Sequence, residues 1–94
     1  MSEGVRACRW LLSGRVQGVG FRWFTVRRAT ALGVVGWVRN LPDGRVEVQA
    51  KGPVASITLF EADLAQGPRL ARVENVDKAD VPLEVVDDKS FSMR

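Results

Sequence analysis

The residues best suited to chemistry lie between Gly14 and Arg22, in the stretch Gly-Arg-Val-Gln-Gly-Val-Gly-Phe-Arg. Its three glycines leave backbone N–H groups uncovered, so that a small molecule can approach them closely. The natural ligand of such groups is an anion, above all at the start of a helix, where the helix dipole is positive. Arg22 adds a planar guanidinium group that matches phosphate or carboxylate. The stretch therefore predicts an oxyanion site.

Other interpretations of this stretch carry less weight. Glycine-rich turns between a strand and a helix are common where nothing binds, so an empty turn remains an alternative. The stretch lacks the Gly-Lys-Ser/Thr ending of a Walker A loop and the glycine spacing of a dinucleotide fingerprint. Residues 20–24 are faintly similar to the aromatic strand of an RNA-recognition module, but they are predicted to open a helix.

Length and composition predict one small domain over residues 1–94, since 46% hydrophobic residues suffice for a single core. One cysteine, no long apolar run and no signal-peptide pattern predict a cytoplasmic protein without membrane association. The chain has no histidine, which removes Ser–His and Cys–His dyads and the commonest metal ligand. Without a cluster of carboxylates either, we expect no metal and no cofactor.

The net charge of +3 is unevenly distributed along the chain. Residues 1–45 contain eight arginines against Glu3 and Asp43, whereas residues 46–94 contain six basic and nine acidic residues. The glycine-rich stretch lies in the basic half, which favours an anionic ligand. A weak nucleic-acid binder would have the same charge distribution, so charge alone does not separate the two functions.

Hydrophobic periodicity predicts the elements around this stretch. Alternation predicts a strand over Arg6–Leu12 with Cys8, Trp10 and Leu12 on its core face, and helical spacing follows over Phe21–Leu32, ending at Gly33. The later elements are predicted as strands Val34–Asn40 and Arg45–Lys51 around a Leu41–Gly44 turn, a helix with Pro53 at its first position that ends at Gln66–Pro68, a strand over Ala71–Ala79, and a short edge pairing at Phe91–Met93.

This order of elements predicts an α+β fold, the ferredoxin-like split βαβ sandwich, in which an antiparallel sheet carries two helices on one face. The fold hosts RNA binders, metal carriers, regulatory modules and enzymes. Function must therefore be argued from the site.

Two motifs resemble the signatures of the acylphosphatase family. Leu12–Arg22 is similar to the first signature, and Gly36–Asn40, followed by Gly44, Val46 and Gly52, is similar to the second at its full spacing. The resemblance covers nearly the whole chain and becomes loose after about Asp77. The ending, residues 90–94, resembles the family's usual ending without its terminal tyrosine.

The resemblance implies hydrolysis of acyl phosphates to a carboxylate and inorganic phosphate without a metal. We also expect a monomer with no specific nucleic-acid partner. The resemblance assigns orientation of the attacking water to Asn40 and phosphate binding to Arg22 together with a loop of six residues: Arg15, Val16, Gln17, Gly18, Val19 and Gly20. The chemistry is compatible with a site that lacks histidine. The leaving carboxylate has an acid pKa of about 4 and needs no general acid, and phosphoryl transfer asks mainly for positioning and charge stabilisation.

Three alternatives stay open at this point. Asn40 precedes a turn, where asparagine commonly caps backbone groups, and Gln17 could hold the loop closed without touching substrate. The protein could also be a non-catalytic module, either a basic nucleic-acid binder or a phosphate-sensing domain of a larger protein. We expect the phosphate-sensing version less, because the chain has the length of a domain that stands alone. The expected burial of Trp10 argues against stacking on bases.

Overall fold

The computed structural model describes residues 4–94. Its elements are β1 (Val5–Arg15), α1 (Phe21–Leu32), β2 (Val35–Asn40), β3 (Val46–Pro53), α2 (Val54–Gln66), β4 (Arg72–Asp80), a 3-10 turn (Leu83–Val85) and β5 (Phe91–Met93). The strands form one sheet in the order β4-β1-β3-β2-β5. The first four strands pair antiparallel, and β5 pairs parallel to β2. The α+β ferredoxin-like fold is thus confirmed, with a fifth strand that makes the sheet mixed.

The face of β1 that packs against the core is the one that the alternating pattern predicts. Cys8, Trp10 and Leu12 are fully buried, and they lie opposite Ala50, Val48 and Val46 of β3. Both helices cover this face, where burial of each large apolar side chain contributes about 1.5–3 kcal/mol. The helix residues in the core are Phe21, Thr25 and Ala29 of α1 and Ile57, Phe60 and Leu64 of α2.

Helix α1 carries polar residues on its buried side, and each has a partner. The Thr25 hydroxyl donates a 2.8 Å hydrogen bond to the Phe21 carbonyl one turn earlier. Arg28, at the edge of the buried stripe, forms a 2.7 Å ion pair with Asp63 of α2. The helix ends at Gly33, as the sequence predicts, with a left-handed φ of 72°.

The predicted end of β1 and the predicted start of α2 are wrong. Strand β1 runs past Leu12 to Arg15 because it pairs with β4 through a bulge between Ser13 and Gly14. Gly14 is required there, since its φ is 117° and a Cβ would lie 2.2 Å from the Arg72 carbonyl oxygen. Pro53 is the last residue of β3 and not the first of α2, because its ψ of 144° is extended.

The chain after β4 covers part of the sheet face opposite the helices. The Val81 N–H donates to the Ala7 carbonyl at 3.1 Å, and the Lys51 ammonium group reaches the Leu83 carbonyl at 3.4 Å. Ala7, Trp37 and Val86 are buried although they lie outside the main core cluster. Within residues 4–94, no helix is both long enough and apolar enough to cross a bilayer.

Candidate active site

The loop between β1 and α1 exposes backbone where the sequence predicts an anion site. Gly18 and Gly20 adopt left-handed φ values of 74° and 78°, and Gly20 is the N-cap residue of α1. No side chain caps this end by a hydrogen bond, and the first turn contains no acidic residue. The first N–H groups of a helix have no partner within the helix, so a bound anion can accept their hydrogen bonds.

Three side chains hold this loop in place. Val16 is buried in the main core cluster, and Val19 is partly buried against it. The Gln17 side-chain amide donates two hydrogen bonds to the β2–β3 turn, to the carbonyls of Leu41 at 2.8 Å and Arg45 at 2.9 Å. These contacts support the alternative in which Gln17 holds the loop closed. The backbone of Gly18 and Gly20 stays exposed beside these anchors.

A cleft of about 260 Å³ lies over the loop. Its lining brings together five of the predicted residues, namely Val16, Gly18, Gly20, Arg22 and Asn40. Phe21, Trp23 and Met93 complete it. Arg15, Gln17 and Val19 are not among the lining residues: Arg15 is exposed at the end of β1, and the other two serve as anchors.

Arg22 stands in the first turn of α1, where the helix dipole disfavours a cation. Its Nη1 donates a 3.2 Å hydrogen bond to the main-chain oxygen of Arg94, and the Arg94 N–H in turn donates to the Val38 carbonyl at 2.8 Å. Arg22 therefore lines the cleft next to the positive end of α1. Arg94, which follows β5, holds the guanidinium group by accepting its hydrogen bond.

Asn40 ends β2, where it lies opposite Val46 of β3. The following turn is closed by a 2.8 Å backbone bond from the Leu41 N–H to the Arg45 carbonyl, and Asp43 accepts from the Arg45 N–H at 3.1 Å. No hydrogen bond joins the Asn40 side chain to another residue of the 4–94 region. Its amide is therefore available to a ligand instead of capping the turn.

The neighbouring arginines have other partners. Arg39 pairs with Glu47 at 2.6 Å and lies over the Trp37 ring, with its guanidinium carbon 5.3 Å from the ring centroid. Arg45 pairs with Asp43 at 2.8 Å. Neither of these two arginines lines the cleft.

Three cleft residues, Phe21, Trp23 and Met93, are missing from the predicted site. Trp23 is exposed, and it stands beside Arg22 at the cleft. An exposed tryptophan next to a predicted ligand-binding arginine is a signal that could have identified it. Met93 gives no such signal, because only the long-range pairing of β5 with β2 brings it to the site.

The donor atoms of the cleft are amides, backbone N–H groups and a guanidinium. Its lining includes no carboxylate. Across residues 4–94, no group of three or more His, Cys, Asp or Glu side chains is placed to hold a metal ion. The arrangement is suited to binding an oxyanion and orienting a neutral molecule next to it.

Comparison with known proteins agrees with this geometry. The family model for acylphosphatases matches residues 8–93. An acylphosphatase of Koribacter versatilis is 50% identical over 89% of this chain and 76% of its own length, and one of Thermus thermophilus is 58% identical over 71% and 76%. The crystal structure of acylphosphatase from Bacillus subtilis superposes with a TM-score of 0.89 at 34% identity, covering 97% of this chain and 99% of that one. The chain belongs to the acylphosphatase family, the enzymes that hydrolyse acyl phosphates.

Proposed function

We propose that this protein hydrolyses the carboxyl–phosphate bond of acyl phosphates without a metal ion, with Arg22 and the loop N–H groups binding the phosphoryl group and Asn40 orienting the attacking water. The observation that carries the proposal is the meeting of Gly18, Gly20, Arg22 and Asn40 in one cleft. These residues come from a loop, a helix start and a strand end that only the fold brings together.

The phosphoryl group binds at the helix side of the cleft. The left-handed glycines leave backbone N–H groups uncovered for an anion, and the start of α1 adds its positive dipole. The Arg22 guanidinium can donate two parallel hydrogen bonds to phosphate oxygens. Together these donors stabilise the charge that spreads over the equatorial oxygens in the transition state.

The reaction exchanges one oxygen partner of phosphorus for another. The water oxygen forms a bond to phosphorus while the bond between phosphorus and the acyl oxygen breaks, and that electron pair leaves with the carboxylate. One water proton passes to a phosphate oxygen. Because the leaving carboxylic acid has a pKa of about 4, the carboxylate departs without a general acid.

Asn40 acts by position and not by proton abstraction, because an amide is not a base at neutral pH. Its Oδ1 can accept a hydrogen bond from the water, which holds the oxygen lone pair toward phosphorus. Such positioning is worth several kcal/mol when the bound geometry is close to that of attack.

The first test is hydrolysis of benzoyl phosphate in excess EDTA. We expect full turnover in the chelator and competitive inhibition by inorganic phosphate, because the cleft recognises the oxyanion with protein donors only. Turnover that EDTA abolishes and a divalent ion restores would refute the metal-free mechanism.

The second test separates the roles of Arg22 and Asn40. Arg22→Ala should raise KM and the phosphate inhibition constant as well as lower kcat, and Arg22→Lys should rescue little because an ammonium group lacks the bidentate fork. Asn40→Ala should lower kcat by on the order of 100-fold while the phosphate inhibition constant stays within a few-fold. Matched controls are the exposed Arg27→Ala and Asn75→Ala, which should leave both constants unchanged.

A folded Asn40→Ala protein with near-normal kcat, or one whose only defect is weaker phosphate binding, would show that another residue orients the attacking water. Circular dichroism establishes folding before the kinetics are read.

We also propose that the protein works as a monomer on free small molecules, with no nucleic-acid partner. Trp10 and Trp37 are buried, which leaves Trp23 as the one tryptophan with an exposed ring. Stacking of successive bases along a single strand uses several exposed aromatic side chains. Size-exclusion chromatography with light scattering tests the monomer. Tight, steeply salt-dependent retention on single-stranded DNA would contradict the second part.

A further inference from the structure

Two large apolar side chains, Trp23 and Met93, are exposed at the cleft, and the phosphate chemistry does not use them. Trp23 is 63% exposed, whereas the other two tryptophans, Trp10 and Trp37, are 0% and 8% exposed. Met93 is 42% exposed. Single exposed apolar residues are common on protein surfaces, so exposure alone carries no argument.

Their location distinguishes this pair. Trp23 is on α1 and Met93 on β5, far apart in sequence, yet both line the same cleft as Arg22 and Asn40. Other exposed apolar residues, such as Leu59 at 57%, lie elsewhere on the surface. Val16 and Phe21 also line the cleft but are buried in the core, so Trp23 and Met93 are the apolar groups that a ligand can cover.

The cleft has space for more than a phosphoryl group. Its volume of about 260 Å³ equals roughly nine water molecules at about 30 Å³ each, and a phosphate ion fills only part of it. The remaining space adjoins the phosphate donors, where the acyl group of a substrate must extend, since it is bonded to the phosphoryl oxygen.

We propose that Trp23 and Met93 form the binding site for the acyl group and make the enzyme prefer acyl phosphates with an aromatic or bulky apolar acyl group over acetyl phosphate. A flat ring can pack against the indole of Trp23, and the Met93 thioether makes favourable contacts with an aromatic edge. An acetyl group is too small to cover either side chain. This inference rests on the proposed function, because it assumes that the phosphoryl group binds at Arg22.

The experiment compares kcat/KM for benzoyl phosphate and acetyl phosphate in the wild type, Trp23→Ala, Trp23→Phe, Met93→Ala and the double variant. We expect Trp23→Ala to lower the benzoyl-to-acetyl ratio by on the order of 10-fold, as expected for loss of an apolar contact in a specificity site. Most of the change should be in KM for benzoyl phosphate. Trp23→Phe should retain most of the ratio, and Met93→Ala should lower it less.

The inhibition constant of inorganic phosphate is the readout that a merely structural role would move. It should stay unchanged in every variant, because phosphate lacks an acyl group. Leu59→Ala is the control for removal of an exposed apolar side chain away from the cleft, and its ratio should equal that of the wild type.

Equal losses on the two substrates in Trp23→Ala, or an unchanged ratio in the double variant, would overturn the acyl-site proposal while leaving the proposed function intact. A wild-type protein that hydrolyses neither substrate would instead overturn the proposed function, and the acyl site with it.

Discussion

One amide side chain, that of Gln17, joins the two sequence segments that form the site. It belongs to the loop before α1, and both of its hydrogen bonds go to carbonyls on either side of the turn after Asn40. Carbonyl oxygens need donors, which an amide provides and a carboxylate does not. Gln17 thus fixes the distance between the phosphate-binding backbone and the residue proposed to hold water.

Replacing Gln17 with alanine should therefore affect stability and catalysis together. We expect a loss of about 1–3 kcal/mol in the free energy of unfolding, since two hydrogen bonds are lost. The Leu41 and Arg45 carbonyls keep one backbone donor each, the N–H groups of Gly44 and Leu41. KM for benzoyl phosphate should rise several-fold as the loop loosens. Urea denaturation and steady-state kinetics measure the two effects, and the exposed Gln66→Ala is the control. Unchanged stability with weakened phosphate binding would mean that Gln17 touches the phosphate.

At the scale of the element, the bulge at Gly14 directs the end of β1 into the phosphate-binding loop. The register with β4 shifts between Ser13 and Gly14, so that Gly14 lies opposite Val73. A side chain has no space at this point, because the Arg72 oxygen and the Glu74 nitrogen would be 2.2 Å and 2.9 Å from its Cβ.

Gly14→Ala should force β1 and β4 apart, because both contacts are to backbone atoms that cannot move aside cheaply. We expect a loss above about 2 kcal/mol in the free energy of unfolding, more than the roughly 1 kcal/mol of an unfavourable φ alone. Gly44→Ala is the matched control, since Gly44 also has a positive φ, of 95°, but open space around it. Equal losses in the two variants would show that crowding at the bulge contributes nothing.

The sequence predicts an element well when the interactions that form it lie within a few residues of one another. The alternation of Cys8, Trp10 and Leu12 and the glycine at position 33 act within a few residues, and the fold class built on such patterns is confirmed. The extension of β1 to Arg15 depends on pairing with β4, in which Arg15 lies opposite the distant Arg72. A pattern confined to β1 cannot reveal that pairing.

The candidate site divides in the same way. Arg22, Asn40 and the glycines are visible as motifs, and the structure brings them into one cleft. The sequence does not show which loop residues bind a ligand and which hold the loop in place. Val16 anchors the loop through its contacts with the core, and Gln17 through its hydrogen bond to the β2–β3 turn. Both contacts depend on the fold. Their roles toward substrate stay predictions.

At the scale of the whole molecule, a buried carboxylate on the sheet face opposite the helices links stability to pH. Glu47 is 3% exposed, and it accepts hydrogen bonds from the guanidinium groups of Arg9 and Arg39. Burial raises the pKa of Glu47, but the hydrogen bonds and charges of the two arginines together outweigh burial and hold it below its usual value.

The direction of the effect follows from the lowered pKa. A carboxyl group whose pKa is lower in the folded state stabilises the fold above its unfolded pKa of about 4.3, and this contribution is lost as pH falls through the folded value. Wild-type stability should therefore decrease below about pH 4 more steeply than that of Glu47→Gln.

Urea denaturation at several pH values between 3 and 7 measures this difference. Glu47→Gln should also be less stable than wild type by about 1–3 kcal/mol at neutral pH, through weakened hydrogen bonds to charged groups. The exposed Glu84→Gln should keep the wild-type pH dependence. Parallel pH curves for wild type and Glu47→Gln would show that this carboxylate is not responsible.

The unequal burial of the three tryptophans gives the molecule an internal optical label. Trp10 and Trp37 are shielded by the core and by the arginines over the sheet, while Trp23 faces solvent at the cleft. A water-borne quencher such as iodide, an anion that Arg22 at the same cleft attracts, should therefore quench the fluorescence of Trp23 first. The enzyme's own fluorescence can then report events at the mouth of its cleft, and the spectrum of the two shielded rings can report on the fold beneath it.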